Sequence, residues 1–338
     1  MDGDLRTRAS IKRYIIIILA FNDCMSKTHL IIDCDPGIDD ALALLYTLKK
    51  DNVVLKGITT VGGNIGLDKT TKNALKILEI IKHTHIPVAR GIGKPLLRDN
   101  KIEGEVHGRD GLGNTELAAP KISEIHEHAV DFIINMIMEN PKQITLVPLG
   151  PLTNIAVAVI KEPRLKDYVK EVVIMGGAVT TFGNITPKSE FNIYTDPEAA
   201  KIVFESGLPI TLVGLDITMK TLLKPDDLKE IMEASTPVTE FVGKIITHYM
   251  KFYEEVVGVN GCAMHDPLAV AVAIDRSLVK TRKLFVTVES KGEFTTGETV
   301  ADLRGSKEGI VRPPNMDVCV EVDSERFIRD FIETLKIT

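Results

Sequence analysis

Strand-length apolar runs alternate with segments of helical period along nearly the whole chain, and no other feature narrows the fold as far. Parallel strands cannot be joined by a tight turn and need a crossover of a dozen or more residues, usually a helix. The alternation therefore predicts an α/β protein with a single open, mainly parallel sheet and helices on both faces. Residues 29–33, 53–60, 86–89, 144–147, 171–175 and 210–213 read as strands, with 284–288 and 317–322 later in the chain. Helical spacing is clearest over 39–49, 69–82, 129–138, 153–159, 197–205, 238–253, 266–274 and 326–335. No repeat, low-complexity tract or Pro/Ser linker interrupts the pattern, so one domain from about residue 28 to the end is expected.

Residues 1–27 stand apart. Arg6, Arg8, Lys12 and Arg13 precede an apolar run over 14–21 that imitates a secretory signal, but the run is far short of the ~20 residues that span a bilayer. No small-x-small cleavage pattern follows it. The segment reads as a disordered N-terminal extension or a misplaced start, with Met25 opening the functional chain. Cys24, Cys34, Cys262 and Cys319 show neither CxxC nor zinc-ligand spacing, which suits reduced thiols and a cytoplasmic location. A net charge of −6, from 41 basic and 47 acidic residues, offers no field for nucleic acid or an anionic membrane, so a small-molecule partner is expected.

Ligands of open parallel sheets bind beyond the carboxyl ends of the strands, which directs attention to the polar residues placed there. Asp33, Asp35, Asp39 and Asp40 fall within one eight-residue stretch after the first strand. Carboxylates brought together by a folded turn repel one another and cannot all stay ionised unless a cation joins them. Helix capping accounts for one or two of these aspartates, not four. Oxygen-only ligands suit a hard ion, Ca²⁺ or Mg²⁺, and the spacing is not that of an EF-hand loop.

Weaker signals lie further along. His265-Asp266-Pro267 opens an apolar helix, where Asp266 also serves as a plausible cap. Asn184, Glu190 and Asn192 offer the several hydrogen bonds that vicinal sugar hydroxyls require, although a polar loop would look the same. Tyr249 and Tyr253 share one helical face, for core packing or for stacking on a planar ligand. No GxxxxGK[ST] or GxGxxG follows a strand, so a nucleotide-triphosphate loop is not supported.

The segment from Asp33 to Asp40 resembles the DxDPGxDD signature of the inosine-uridine type nucleoside hydrolases, closest to the pyrimidine-preferring or non-specific ribonucleoside hydrolases. The likeness runs from about residue 29 to the C-terminus and takes in Gly62-Gly63-Asn64, Leu149-Gly150-Pro151-Leu152-Thr153-Asn154, Met175-Gly176-Gly177, Glu190-Phe191-Asn192 and His265-Asp266-Pro267. The resemblance implies the fold of that family and a Ca²⁺ held by Asp35, Asp40, Asp266 and the carbonyl of Leu149. It further implies that Asp39 takes a proton from the attacking water, with Asp33 in support behind. Asn64, Asn184, Glu190 and Asn192 match residues that bind the ribose, Asn184 and Glu190 nearest its 5′ side. His265 matches the histidine that assists the leaving base, and His107 one near the base in some relatives. Tyr249 and Tyr253 would then stack on the base or hydrogen-bond to it.

The implied activity is calcium-assisted hydrolysis of the N-glycosidic bond of ribonucleosides, in nucleoside salvage. The chain has no Trp, whereas purine-specific relatives sandwich the base between tryptophans, so uridine, cytidine and inosine are expected in that order. A homodimer or homotetramer is implied as well. Two alternatives compete. A strand ending in Asp33-Cys34-Asp35 also resembles the start of haloacid-dehalogenase-type phosphohydrolases, but Gly37 stands where those carry Thr or Val, and the Asp39-Asp40 pair is foreign to them. The other alternative is a non-catalytic ribose- or calcium-binding protein on the same fold.

Overall fold

The strand Thr28–Cys34 (β1) is apolar on both sides of its pleat, and the structure, a computed structural model describing residues 27–99, 106–304 and 312–337, shows why. Leu30 and Ile32 enter one hydrophobic core while Ile31 enters another, all three fully buried. A central parallel strand is covered on both faces and needs apolar residues at odd and even positions alike. Val147 and Leu146 divide in the same way, as do Val213 and Leu212. Apart from Lys27, the N-terminal extension expected over 1–27 lies outside the described residues.

The strands that follow are β2 (Val53–Thr60), β3 (Val88–Arg90), β4 (Ile144–Pro148), β5 (Glu171–Met175) and β6 (Ile210–Val213). After them come β7 (Leu222–Leu223), β8 (Cys262–Ala263), β9 (Val279–Leu284), β10 (Val286–Val288), β11 (Thr299–Ala301) and β12 (Met316–Val322). Eight of these form one sheet in the order β3-β2-β1-β4-β5-β6-β12-β9, parallel throughout except that β9 runs antiparallel to β12 at the edge. From β1 the chain winds outward through β2 and β3, then returns to β4 on the other side. The connections after β1 and β4 therefore diverge and leave a crevice at their carboxyl ends.

The expected strand over 284–288 divides in two at Phe285. Val279–Leu284 closes the large sheet, and Val286–Val288 pairs separately with Thr299–Ala301. The edge strand escapes a search for apolar runs because Lys280, Thr281, Arg282 and Lys283 are exposed, and charge of this kind keeps an open edge from pairing with other chains. The short helices Phe191–Thr195 and Leu215–Thr218 are too brief to show a 3.6-residue period in the sequence.

Candidate active site

At the end of β1 the chain turns at Pro36-Gly37 and enters the helix Ile38–Leu48. Asp40, in its first turn, reaches back to accept the N–H groups of Gly37 at 2.9 Å and Asp35 at 3.1 Å, which fixes the turn. Asp33, fully buried, accepts from the Thr59 hydroxyl and from Asn154 Nδ2 at 2.8 Å. Asp35 Oδ2 accepts the Asn64 N–H at 2.6 Å. Asp266 comes from across the fold, in the first turn of the helix His265–Ile274. Carboxylate oxygens of Asp39, Asp40 and Asp266 lie within 4.8 Å of one another. Asp35 is not one of this trio, although its repulsion acts on Asp266.

Among the described residues no Lys or Arg pairs with these carboxylates, and Asp33 Oδ2, Asp35 Oδ1 and Asp39 Oδ1 are buried without a hydrogen-bond donor. Burial pushes Asp33 and Asp40 up to about 7, with repulsion from Asp39 adding to the effect on Asp40. Burial, and then neighbouring carboxylates, hold Asp35 and Asp266 well above the ordinary range. A buried, all-oxygen donor set with unsatisfied atoms and no cationic side chain fits a hard divalent metal ion.

These shifts set the pH dependence of the metal-free protein. A carboxyl whose pKa is raised by folding binds its proton more tightly in the native state. The resulting stability is present below the unfolded value near 4 and is lost as pH rises through the folded value, about 7 for Asp33 and Asp40. The melting temperature of chelated protein is therefore expected to fall from pH 4 to 8, and the gain on adding Ca²⁺ to grow over the same interval. Scanning calorimetry with and without chelator checks this; a flat difference across that interval would contradict it.

The remaining expected residues line the crevice from several elements. Asn64, after β2, donates its Nδ2 to Asp40 Oδ2 at 3.1 Å and to the Asp35 carbonyl at 3.3 Å, so it braces the carboxylates. The Leu149 carbonyl, after β4, accepts Asn192 Nδ2 at 2.6 Å, which still leaves it one lone pair. Glu190 caps the helix Phe191–Thr195 with Oε1 on Asn192 N–H at 2.9 Å, while Oε2 accepts Gly177 N–H at 3.0 Å and Ile193 N–H at 3.2 Å. Burial nevertheless pushes Glu190 up to about 7 against these three hydrogen bonds. Asn184 alone of the expected site residues is exposed, its amide oxygen accepting Phe191 N–H at 2.9 Å.

An aromatic wall closes the other side. The Ile38 N–H donates to His107 Nδ1 at 3.0 Å, which puts the proton of the neutral ring on Nε2. His107 stacks on Tyr249 at 5.9 Å, and Tyr249 meets Tyr253 edge-on at 5.0 Å. The Tyr253 hydroxyl lies 2.7 Å from His265 Nε2, and His265 Nδ1 lies 2.8 Å from Thr218 Oγ1. Both histidines are buried, which lowers their pKa values. Tyr249 and Tyr253 are both buried and hydrogen-bonded to each other, and Tyr253 alone of the two reaches His265.

The sequence motifs include Asn154 without a role for it and do not reach Thr59, Thr218 or Asp216, the last of which receives two backbone N–H groups of the loop after β5. The rule applied to the other strand ends points to Asp216 and Thr218 when it is extended to the end of β6.

Geometry and chemistry together describe an acidic site at the switch point of a parallel sheet, with buried carboxylates that could hold a metal ion. The sequence model of the inosine-uridine preferring nucleoside hydrolases matches residues 30–329. An inosine-uridine preferring nucleoside hydrolase of Crithidia fasciculata is 43% identical over 302 residues, covering 88% of this chain and 94% of its own. A pyrimidine-specific ribonucleoside hydrolase, RihA, of Salmonella arizonae is 39% identical over 311 residues, covering 91% and 98%. The solved structure of a purine-preferring ribonucleoside hydrolase from Gardnerella vaginalis superposes with a TM-score of 0.86 at 37% identity, covering 91% of this chain and 98% of that one. The chain belongs to the inosine-uridine preferring nucleoside hydrolase family. It is accordingly a ribonucleoside hydrolase, an enzyme that cleaves N-glycosidic bonds, and the phosphohydrolase alternative is not favoured.

Proposed function

We propose that the chain hydrolyses ribonucleosides to ribose and free base with Ca²⁺ as its metal, prefers pyrimidine nucleosides or is non-specific, and serves nucleoside salvage in the cytoplasm as a homodimer or homotetramer. The observation that carries the metal-assisted reading is the set of buried carboxylates, three with unpartnered oxygens, that the end of β1 and the helix after it bring together with Asp266. Asp35, Asp40, Asp266 and the Leu149 carbonyl would hold the ion. Bound there, it would orient the ribose diol and lower the pKa of a water.

The chain's own groups do the rest. Asp39 takes a proton as the water oxygen attacks C1′ and the bond from C1′ to the base breaks. The ribose passes through oxocarbenium character, which a carboxylate-rich pocket favours. Asn64, Asn192 and Glu190 fix the sugar, with Asn184 reaching its 5′ side from the rim. Protonated His265 passes its Nε2 proton through the Tyr253 hydroxyl to the leaving base. Burial lowers the pKa of His265, and that makes its imidazolium a stronger acid. The base preference is supported by the absence of Trp and by the His107 donor facing away from Ile38. The named preferences of these relatives span purine, pyrimidine and mixed, so the order uridine, cytidine, inosine is tested directly by reducing-sugar release from each, with adenosine alongside.

The leaving-group role has a separate test. His265→Ala is expected to lower kcat for uridine by about 10²- to 10⁴-fold, the range of general acid catalysis, and much less for a p-nitrophenyl riboside, whose leaving group needs no proton. Equal losses on both substrates would remove the acid role.

A further inference from the structure

We propose that the single-turn helix Leu215–Thr218, at the end of β6, is a two-sided positioning element. Its Thr218 orients the leaving-group histidine, and its Asp216 holds the loop that carries Asn184 and Glu190. The proposal rests on the roles given above to His265 and to the 5′ side of the ribose.

Residues two apart on a helix project about 200° from one another, so Asp216 and Thr218 point to opposite sides while Ile217 is buried between them. Thr218 is fully buried with Oγ1 at 2.8 Å from His265 Nδ1. This contact fixes the plane of the ring whose other nitrogen meets Tyr253. Without it the imidazole can rotate about its χ angles and Nε2 loses its line to the Tyr253 hydroxyl.

On the other side Asp216, 6% exposed, accepts Val179 N–H at 2.8 Å, Thr180 N–H at 2.7 Å and the Thr180 hydroxyl at 2.5 Å. Residues 180–188 beyond this clamp are mostly exposed, with Phe182 at 82%, so no core packing substitutes for it. The turn is also tied to Glu190. Leu215 N–H donates to the Gly177 carbonyl at 2.9 Å, and Gly177 N–H donates to Glu190 Oε2 at 3.0 Å. Gly177 has φ +81, a left-handed conformation that side chains rarely adopt, so the link is built into the backbone.

Steady-state kinetics on uridine and 5′-deoxyuridine, with melting temperatures, test both sides. Thr218→Val is expected to lower kcat for uridine about 10- to 100-fold with KM little changed, and Thr218→Ser to restore most of it. Asp216→Asn is expected to raise KM for uridine about tenfold with kcat little changed, and to leave KM for 5′-deoxyuridine at the wild-type value, since that substrate lacks the hydroxyl the loop recognises. Wild-type kcat in Thr218→Val, a loss that Ser does not repair, or an equal rise in KM on both substrates in Asp216→Asn would overturn the proposal. His265→Ala, assayed in parallel, separates the levels. If it keeps wild-type kcat, the acid role fails and takes the Thr218 half with it. If it is impaired while Thr218→Val is not, only the positioning role fails.

Discussion

Asp39→Asn is expected to lower kcat for uridine by about 10³-fold, near the middle of the range for loss of a general base, with KM changed only a few fold. Every other aspartate in the Asp33–Asp40 segment is committed to neighbours: Asp33 to Thr59 and Asn154, Asp35 to Asn64, Asp40 to two backbone N–H groups and Asn64. Among the described residues Asp39 accepts no hydrogen bond, and its Oδ1 is buried without a donor. Asp39 by contrast is held in place by no donor and meets only the His107 ring, at 3.9 Å, which leaves its carboxylate open to a proton from a water. Asn preserves the shape of the side chain and removes that capacity. Reducing-sugar release measures the loss, and near-wild-type turnover would remove Asp39 from the mechanism.

The second large effect concerns two glycines that flank Asp35. A Cβ at Gly63 would lie 2.1 Å from Asp35 Oδ2, and one at Gly150 would lie 2.5 Å from Asp35 Oδ1. Neither backbone has a left-handed φ, so Ala at either position acts through contact alone and must displace the carboxylate. Gly150→Ala is therefore expected to weaken Ca²⁺ binding by about 10- to 100-fold and to lower turnover at limiting Ca²⁺. Gly66→Ala is the matched control, because nothing lies within 4 Å of its added Cβ. Calcium affinity by titration calorimetry distinguishes the two, and equal affinities in both variants would mean that Asp35 does not serve the ion.

The parts of the fold that were legible share a physical cause. Val53–Thr60, Glu171–Met175 and Ile210–Val213 match the sequence reading residue for residue, because interior parallel strands must be apolar on both faces. The edge strand Val279–Leu284 was not legible, since an edge is made safe by the same charges that hide it. In the site, the aspartates between 33 and 40 announce themselves because like charges that close in sequence need a reason. Asn154 and Thr218 carry no such anomaly. Each becomes functional only through a partner far along the chain, Asn154 to Asp33 across 121 positions and Thr218 to His265 across 47. Asn184 shows the converse, a residue implied by resemblance whose side chain the fold leaves on an exposed loop, with its oxygen used locally.

The most direct test of the account strips the protein of divalent ions and returns Ca²⁺ in steps, following ions bound per chain and ribose released from uridine in the same samples. The account predicts no release from stripped protein, release that rises in step with the first ion bound, and none from Asp39→Asn carrying the same ion. Turnover by stripped protein, or an ion bound by the wild-type chain without return of turnover, would contradict it.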